Sequence, residues 1–234
     1  MVNTIARENY ILGGLNVSDR HRLLRESECV SLPTGSVLYR CGDHISHVFL
    51  PRGGLVSLLA VTCEGETIEV AAVGREGLVG VCAVLGATTA QHDAVVRIPL
   101  VAVKIRADLY AAELQQCKAI QVMTMRHAND LLNQAAQLAL CSRYHTVKQR
   151  LSRLLLDSCD RLGTRDIQYT QELLSSLIGA SRTTITEVAC ELQRTGWIHY
   201  LRGRIRILDP AALELTSCKC YRTARVTDSH LNHR

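Results

Sequence analysis

The chain has 234 residues, 47% of them hydrophobic and 21% charged, which is enough for one large core or two modest ones and lies outside the disordered and collagen-like ranges. No run of eighteen uncharged apolar residues occurs, and the N-terminus lacks a basic segment followed by an apolar one; a soluble, cytoplasmic protein with no membrane partner is expected. The net charge of +5 is uneven, since Met1 to Ser142 holds 12 Lys+Arg against 13 Asp+Glu, a balance of −1, and Arg143 to Arg234 holds 15 against 9, a balance of +6, as in a chain that meets phosphates at one end.

In chain order, Val17 to Glu28 is helical in composition, with Ser18-Asp19 as its cap. Short β-type pieces follow at Ser36–Arg40, His47–Leu50, Leu55–Val61, Thr67–Val73 and Ala94–Ile105. Turn signals separate them, Pro51-Arg52-Gly53-Gly54 before one strand and Cys63-Glu64-Gly65-Glu66 in a hairpin. Many short strands at this spacing predict a sandwich or jelly roll. From Leu114 to Cys141 there is no proline or glycine, and Ile120, Met123, Leu131, Ala135 and Leu138 are apolar. One long helix is expected there, its stripe buried against its own barrel or against the same helix of a second chain, the latter being the more useful reading. A further helix, Tyr144 to Arg161, ends at Gly163.

Two short helices then lie close together. Thr170 caps one that carries Leu173, Leu174, Leu177 and Ile178 and stops at Gly179; Ser181 caps the next, with Ile185, Val188, Ala189 and Leu192 on its inner face. Its opposite face collects Arg182, Thr183, Thr186, Cys190, Gln193 and Arg194, with Glu187 at the edge. This is the pattern of a helix-turn-helix, whose second helix enters the DNA major groove. Arg182 is placed to offer two donors to guanine, while Thr183 and Thr186 can reach a base or a phosphate. Trp197–Leu201 and Ile205–Leu208 form a hairpin about Arg202-Gly203, a wing presenting Arg202, Arg204 and Arg206 to the phosphate backbone. Trp197 anchors this hairpin to the helices.

The run from Tyr169 to Ile185, with the order of β-rich half, long helix and winged helix, resembles the Crp/Fnr superfamily of bacterial transcription regulators over roughly Leu12 to Leu213. The resemblance implies an α+β chain: an N-terminal double-stranded β-helix (jelly-roll) sensor barrel of the cyclic-nucleotide-binding type, a long dimerisation helix and a C-terminal winged helix-turn-helix. It also implies a homodimer on a two-fold symmetric DNA site, with RNA polymerase as a further partner. The expected divisions are 1–113 for the barrel, 114–142 for the dimerisation helix, 143–215 for the DNA-binding domain and 216–234 for a polar tail.

The chain departs from that family in its ligand site. Members that bind cyclic AMP use a glutamate on the ribose and a later Arg-Ser or Arg-Thr pair on the phosphate. Glu76 in Gly74-Arg75-Glu76-Gly77-Leu78-Val79-Gly80 matches the first, but His92-Asp93 stands where the pair would be. A carboxylate beside a phosphate costs about 1–4 kcal/mol, so cyclic AMP in the usual mode is not expected; Glu76, His92, Asp93 and Arg97 remain the candidate ligand pocket. Many relatives read Arg-Glu-Thr-x-x-Arg where this chain reads Arg182-Thr183-Thr184-Ile185-Thr186-Glu187.

The ten cysteines read as reduced thiols. Cys29, Cys41, Cys63 and Cys82 are too dispersed for an iron–sulfur cluster, and His44 and His47 read as surface residues. No metal and no cofactor are expected. Cys218-Lys219-Cys220 is the sharpest thiol feature, with a lysine that favours the thiolate. A redox- or ligand-responsive sensor is the alternative to a regulator. An enzyme is not expected, because no nucleophile–base pair or phosphate loop appears.

Overall fold

The computed structural model describes residues 9–87 and 89–221, so the first eight residues and most of the expected polar tail lie outside them. The chain divides into two compact units, residues 1–65 with 69–135, and residues 66–68 with 136–234.

The first unit starts with α1 (Tyr10–Gly13) and α2 (Val17–Leu24). The cap of α2 is Asn16, one position before the helix, whose side chain accepts from Asp19 N, rather than Ser18-Asp19. The strands β1 (Glu28–Leu32), β2 (Val37–Tyr39), β3 (His47–Val61) and β4 (Thr67–Val73) precede a short α3 (Val81–Val84), and β5 (Asp93–Arg106) follows it. They form one sheet in the order β1-β5-β3-β4, with β2 also on β5.

The two strands expected on either side of Pro51–Gly54 are one continuous strand. Opposite β5 its register slips at Pro51/Gly53, Gly53/Leu55 and Leu55/Val56, so the proline and glycines serve bulges instead of a turn. Gly54 has φ +85, and a Cβ there would lie 2.1 Å from the Pro99 carbonyl oxygen. Gly54→Ala is expected to destabilise the fold by more than about 2 kcal/mol, adding a contact below van der Waals distance to the 1–2 kcal/mol of a left-handed backbone. Thermal melts check this, and an unchanged Tm would refute the close approach.

After β5 come α4 (Ala107–Gln116) and α5 (Lys118–Tyr144). The single helix expected from Leu114 is therefore broken at Cys117, whose backbone is extended at φ −112 and ψ 109. The thiol there is buried and donates to Asp19 Oδ2 at 3.3 Å, a contact 98 residues away in sequence that local helix propensity does not see.

Two apolar clusters fill this unit. One joins Ile11, Leu12, Leu23 and Tyr110 to Leu50, Ile105 and Ile120; the other lies within the sheet around Phe49, Val56, Val73, Val96 and Leu100. Ile120 and Met123 pack on the first and Leu131 on the second. Part of the stripe foreseen on the long helix thus packs on its own barrel. What α5 leaves exposed is a neighbouring stripe of Val122, Met125, Leu132, Leu140 and Tyr144.

The second unit holds the end of α5 and then α6 (Val147–Leu162), β6 (Asp166–Gln168), α7 (Gln171–Ile178), α8 (Arg182–Arg194), β7 (Ile198–Leu201), β8 (Arg204–Ile207) and α9 (Pro210–Thr216). α6 starts three residues later than expected because Thr146 and Gln149 close a capping box. Gly163, at φ +67, ends it. The strand β6, absent from the sequence expectation, pairs with β8. Beyond α9, at the start of the segment expected as a polar tail, Cys218 and Tyr221 are buried and the Tyr221 hydroxyl donates to Asp160 at 2.7 Å.

Candidate nucleic-acid interface

The winged helix is assembled from local signals. Thr170 Oγ1 accepts from Leu173 N at 3.1 Å to start α7, and Gly179 stops it at φ +64. Ser181 Oγ accepts from Thr184 N at 3.1 Å and starts α8. Between them the chain turns sharply enough for Leu174, Leu177 and Ile178 to share a core with Ile185, Ala189 and Leu192, all buried. Arg202 at φ +49 and Gly203 at φ +76 put both central residues of the wing turn in the left-handed region, the primed geometry that suits a two-residue hairpin.

Ile205 and Ile207 point inward and Arg204 and Arg206 outward, in period two. The wing is tied to α8 by Tyr200 N, which donates to Gln193 Oε1 at 2.7 Å, and to the segment before α7 by the Tyr200 hydroxyl, which donates to Tyr169 O. Lys148 bonds Glu191 at 2.8 Å, holding that carboxyl below its ordinary range, and lies 5.4 Å from the Trp197 ring centre. Trp197, the expected anchor of the hairpin, is tied to α8 by its backbone N, which donates to Leu192 O at 3.1 Å, while its carbonyl accepts from Leu208 N and Asp209 N at the far end of the hairpin.

On the outer face of α8, Arg182, Thr183, Glu187, Cys190, Gln193 and Arg194 are exposed. Arg182 Nη2 lies 2.8 Å from Glu172 Oε1, with 63% and 72% of the two side chains accessible; so exposed a pair is worth about 0–1 kcal/mol and exchanges readily. The hydroxyls of Ser181 and Thr186 are committed to the helix itself, the first as cap and the second donating to Arg182 O at 2.8 Å. On the wing, Arg206 is gripped by Asp166 at 2.7 and 3.3 Å, and that bond raises its pKa. Asp166 is the residue the sequence reading missed here, because β6 is three residues long and its partner lies forty positions away. Arg202 and Arg204 are exposed on the wing.

The family model of the Crp-like helix-turn-helix domain matches residues 149–216, and that of the cyclic nucleotide-binding domain matches residues 29–117. Together they span well over half of the chain, in the order in which the two units occur. A solved structure of a Crp/Fnr-family transcriptional regulator from Eubacterium rectale superposes with a TM-score of 0.72 at 18% identity, covering 89% of this chain and 99% of that one. The chain belongs to the Crp/Fnr family of transcription regulators.

The global nitrogen regulator of Synechococcus elongatus, at 22% identity, covers 76% of this Crp/Fnr chain and 85% of its own length. The c-di-GMP-responsive global regulator CLP of Xanthomonas campestris has the same fold, with a TM-score of 0.70 at 18% identity over 82% of this chain and 99% of that one. The Crp/Fnr assignment makes α7–α8 a DNA-binding helix-turn-helix and the N-terminal unit a cyclic nucleotide-binding-type domain.

In that N-terminal Crp/Fnr domain the four candidate pocket residues are engaged with different neighbours. Glu76 Oε1 accepts from Gly74 N at 2.8 Å. Asp93 Oδ1 accepts from Cys41 N at 2.7 Å, and Arg40 is 3.6 Å from its other oxygen. The His92 ring lies 6.2 Å from that of Tyr39, and burial lowers its pKa. Arg97 falls at a bulge, where the β3 ladder passes from Val96 to Ile98, and its side chain is only 1% exposed. Its Nη1 donates to Glu69 Oε1 and Oε2 at 2.8 and 3.1 Å, and Ser57 Oγ donates to the same carboxylate. Glu69 was missed in the sequence because it reads as an ordinary polar position of β4.

The environment of Cys218 and Cys220 opposes the thiolate that the neighbouring lysine was expected to favour. Burial, then the neighbouring Cys141, pushes Cys218 up to about 12, and burial also raises Cys220.

Proposed function

We propose that this regulator acts as a homodimer on a two-fold symmetric operator, with the N-terminal turn of α8 in the major groove and the wing on the flanking phosphates. The observation that carries the reading is Arg182, on the exposed first turn of α8 and paired with Glu172 where both side chains remain largely accessible to solvent. Arg182 takes a guanine edge, Thr183 an adjacent base or phosphate, and Glu187 accepts from cytosine. Ser181 and Thr186 shape the helix, and their backbone-facing hydroxyls leave them a secondary part in contact. Arg202 and Arg204 neutralise phosphate, and Arg206 joins them from its pairing with Asp166.

The exposed stripe Val122, Met125, Leu132, Leu140 and Tyr144 supports dimerisation through α5, because five accessible large hydrophobic side chains on one helix favour a like partner. The N-terminal domain works as a dimer scaffold and RNA polymerase contact without switching by cyclic AMP in the usual mode, a reading supported by the internal matching of Arg97 by Glu69.

Genome-wide footprinting with and without cyclic nucleotides tests both parts. A small set of symmetric sites, unchanged by the nucleotide, is expected; occupancy without sequence preference, or sites gained only with cyclic AMP, would overturn one part or the other. Arg204→Ala is expected to weaken binding about equally on specific and random duplexes and to lower the slope of log K against log salt by about 1. Affinity titrations over a salt series measure that slope.

A further inference from the structure

Four metal-ligand side chains converge within the second unit, outside the DNA-binding face. Cys141 and His145 stand four residues apart, one at the last turns of α5 and one just past its end, so they project from the same side of the chain. Cys218 and Cys220 come from the segment after α9. The three sulfurs and the imidazole nitrogen all lie within 4.8 Å of one another, and the Cys141 and Cys218 sulfurs are 4.0 Å apart. A tetrahedron with Zn–S bonds of 2.3 Å has edges of about 3.8 Å. The observed cluster therefore needs an inward movement of less than about 1 Å on its widest edge.

Burial and charge point the same way. Cys141 and Cys218 are 0% and 2% exposed, out of reach of ordinary surface chemistry. His145 Nδ1 is a buried nitrogen with no hydrogen-bond partner among the described residues, although buried imidazole nitrogens are normally bonded. Three thiolates around a divalent cation leave one negative charge. The positive charges of Arg150 and Arg153 favour such a site, since each acts on the cluster electrostatically, Arg150 with Cys141 and Arg153 with Cys218.

We propose that Cys141, His145, Cys218 and Cys220 form a structural Zn2+ site that clamps the chain after α9 onto the end of α5. Sulfur and imidazole donors in tetrahedral array select zinc among the available divalent cations, and four protein ligands close the site to water. On binding, the three thiols release their protons to solvent and the imidazole lends a neutral nitrogen lone pair; no electron is transferred. The sequence reading expected no metal because it weighed His44, His47 and the dispersed N-terminal cysteines as ligands and took Cys218-Lys219-Cys220 as a thiol pair; the Cys-x3-His pair is separated from the latter by more than seventy residues. The site is independent of the DNA-binding reading.

The test uses the full chain purified without chelator from zinc-replete cells, followed by metal analysis and by replacement with Co2+. About one zinc per chain is expected, with the intense visible bands of a tetrahedral thiolate-bound Co2+. Cys220→Ser, at a partly exposed position that can change without disturbing the core, should lower zinc affinity at least tenfold, and Cys63→Ser, at an exposed position elsewhere, should leave it intact. Removing zinc from the wild type should lower Tm, and restoring it should reverse the loss. Less than about a tenth of an equivalent of zinc with no Co2+ spectrum would overturn the proposal. So would full zinc retention in both Cys220→Ser and Cys218→Ser, a sulfide-containing iron cluster in place of zinc, or a Cys141–Cys218 disulfide in freshly isolated protein.

Discussion

Arg182→Ala is expected to raise the Kd for the specific operator by about tenfold to a hundredfold, while changing Kd for random duplex far less. A bidentate arginine–guanine contact is worth about 1–3 kcal/mol of discrimination, and Arg182 has little to lose in making it. Its partner Glu172 is 72% accessible, so releasing the guanidinium to DNA forfeits a contact worth at most about 1 kcal/mol. Arg182→Lys separates geometry from charge. A lysine keeps the point charge but not the fork, so it should retain non-specific binding and lose most of the preference for guanine. Fluorescence anisotropy with operator and scrambled duplexes reads both constants, and far-UV circular dichroism confirms the fold, since Ser181 and not Arg182 caps α8. Equal weakening on both duplexes would remove Arg182 from base recognition and leave it a phosphate contact.

The second large effect concerns stability. Glu69→Leu is expected to cost about 3–5 kcal/mol, because it withdraws the carboxylate held by both Arg97 and Ser57 from a site where Arg97 is 1% and Glu69 5% exposed. In a chain of this size that is a fall in Tm of roughly 10 °C. The double change Glu69→Leu with Arg97→Met should recover much of the loss, since replacing both ends of a buried ion pair by apolar groups of similar volume is often neutral. A double-mutant cycle by calorimetry measures the coupling. Additive losses would mean that the two side chains stabilise the domain independently.

These two sites show what was legible in the sequence and what was not. The helix-turn-helix and wing were readable residue by residue, because Thr170, Gly179, Ser181 and Arg202-Gly203 act on backbone within three positions of themselves. The second core face, Ile185, Ala189 and Leu192, followed from helical period alone. The Glu69–Arg97 pair was not readable, since period two places residues on faces without saying which strands meet. The glycines at 53 and 54 signal departure from regular backbone, but whether that departure is a turn or a bulge depends on Pro99 across the ladder. The break at Cys117 and the grip of Asp166 on Arg206 are likewise set by distant partners. The bond from the Thr186 hydroxyl to the Arg182 carbonyl is a local one, within reach of any threonine four residues on in a helix.

The wing turn bears on how this protein can be altered. Arg202 sits at φ +49, a conformation that costs an L side chain about 1–2 kcal/mol over glycine. Evolution or an engineer replacing it by glycine would gain hairpin stability and surrender a cation at the tip, so the position trades robustness against grip. Selection for a hardier wing and selection for tighter DNA binding would pull this one residue in opposite directions.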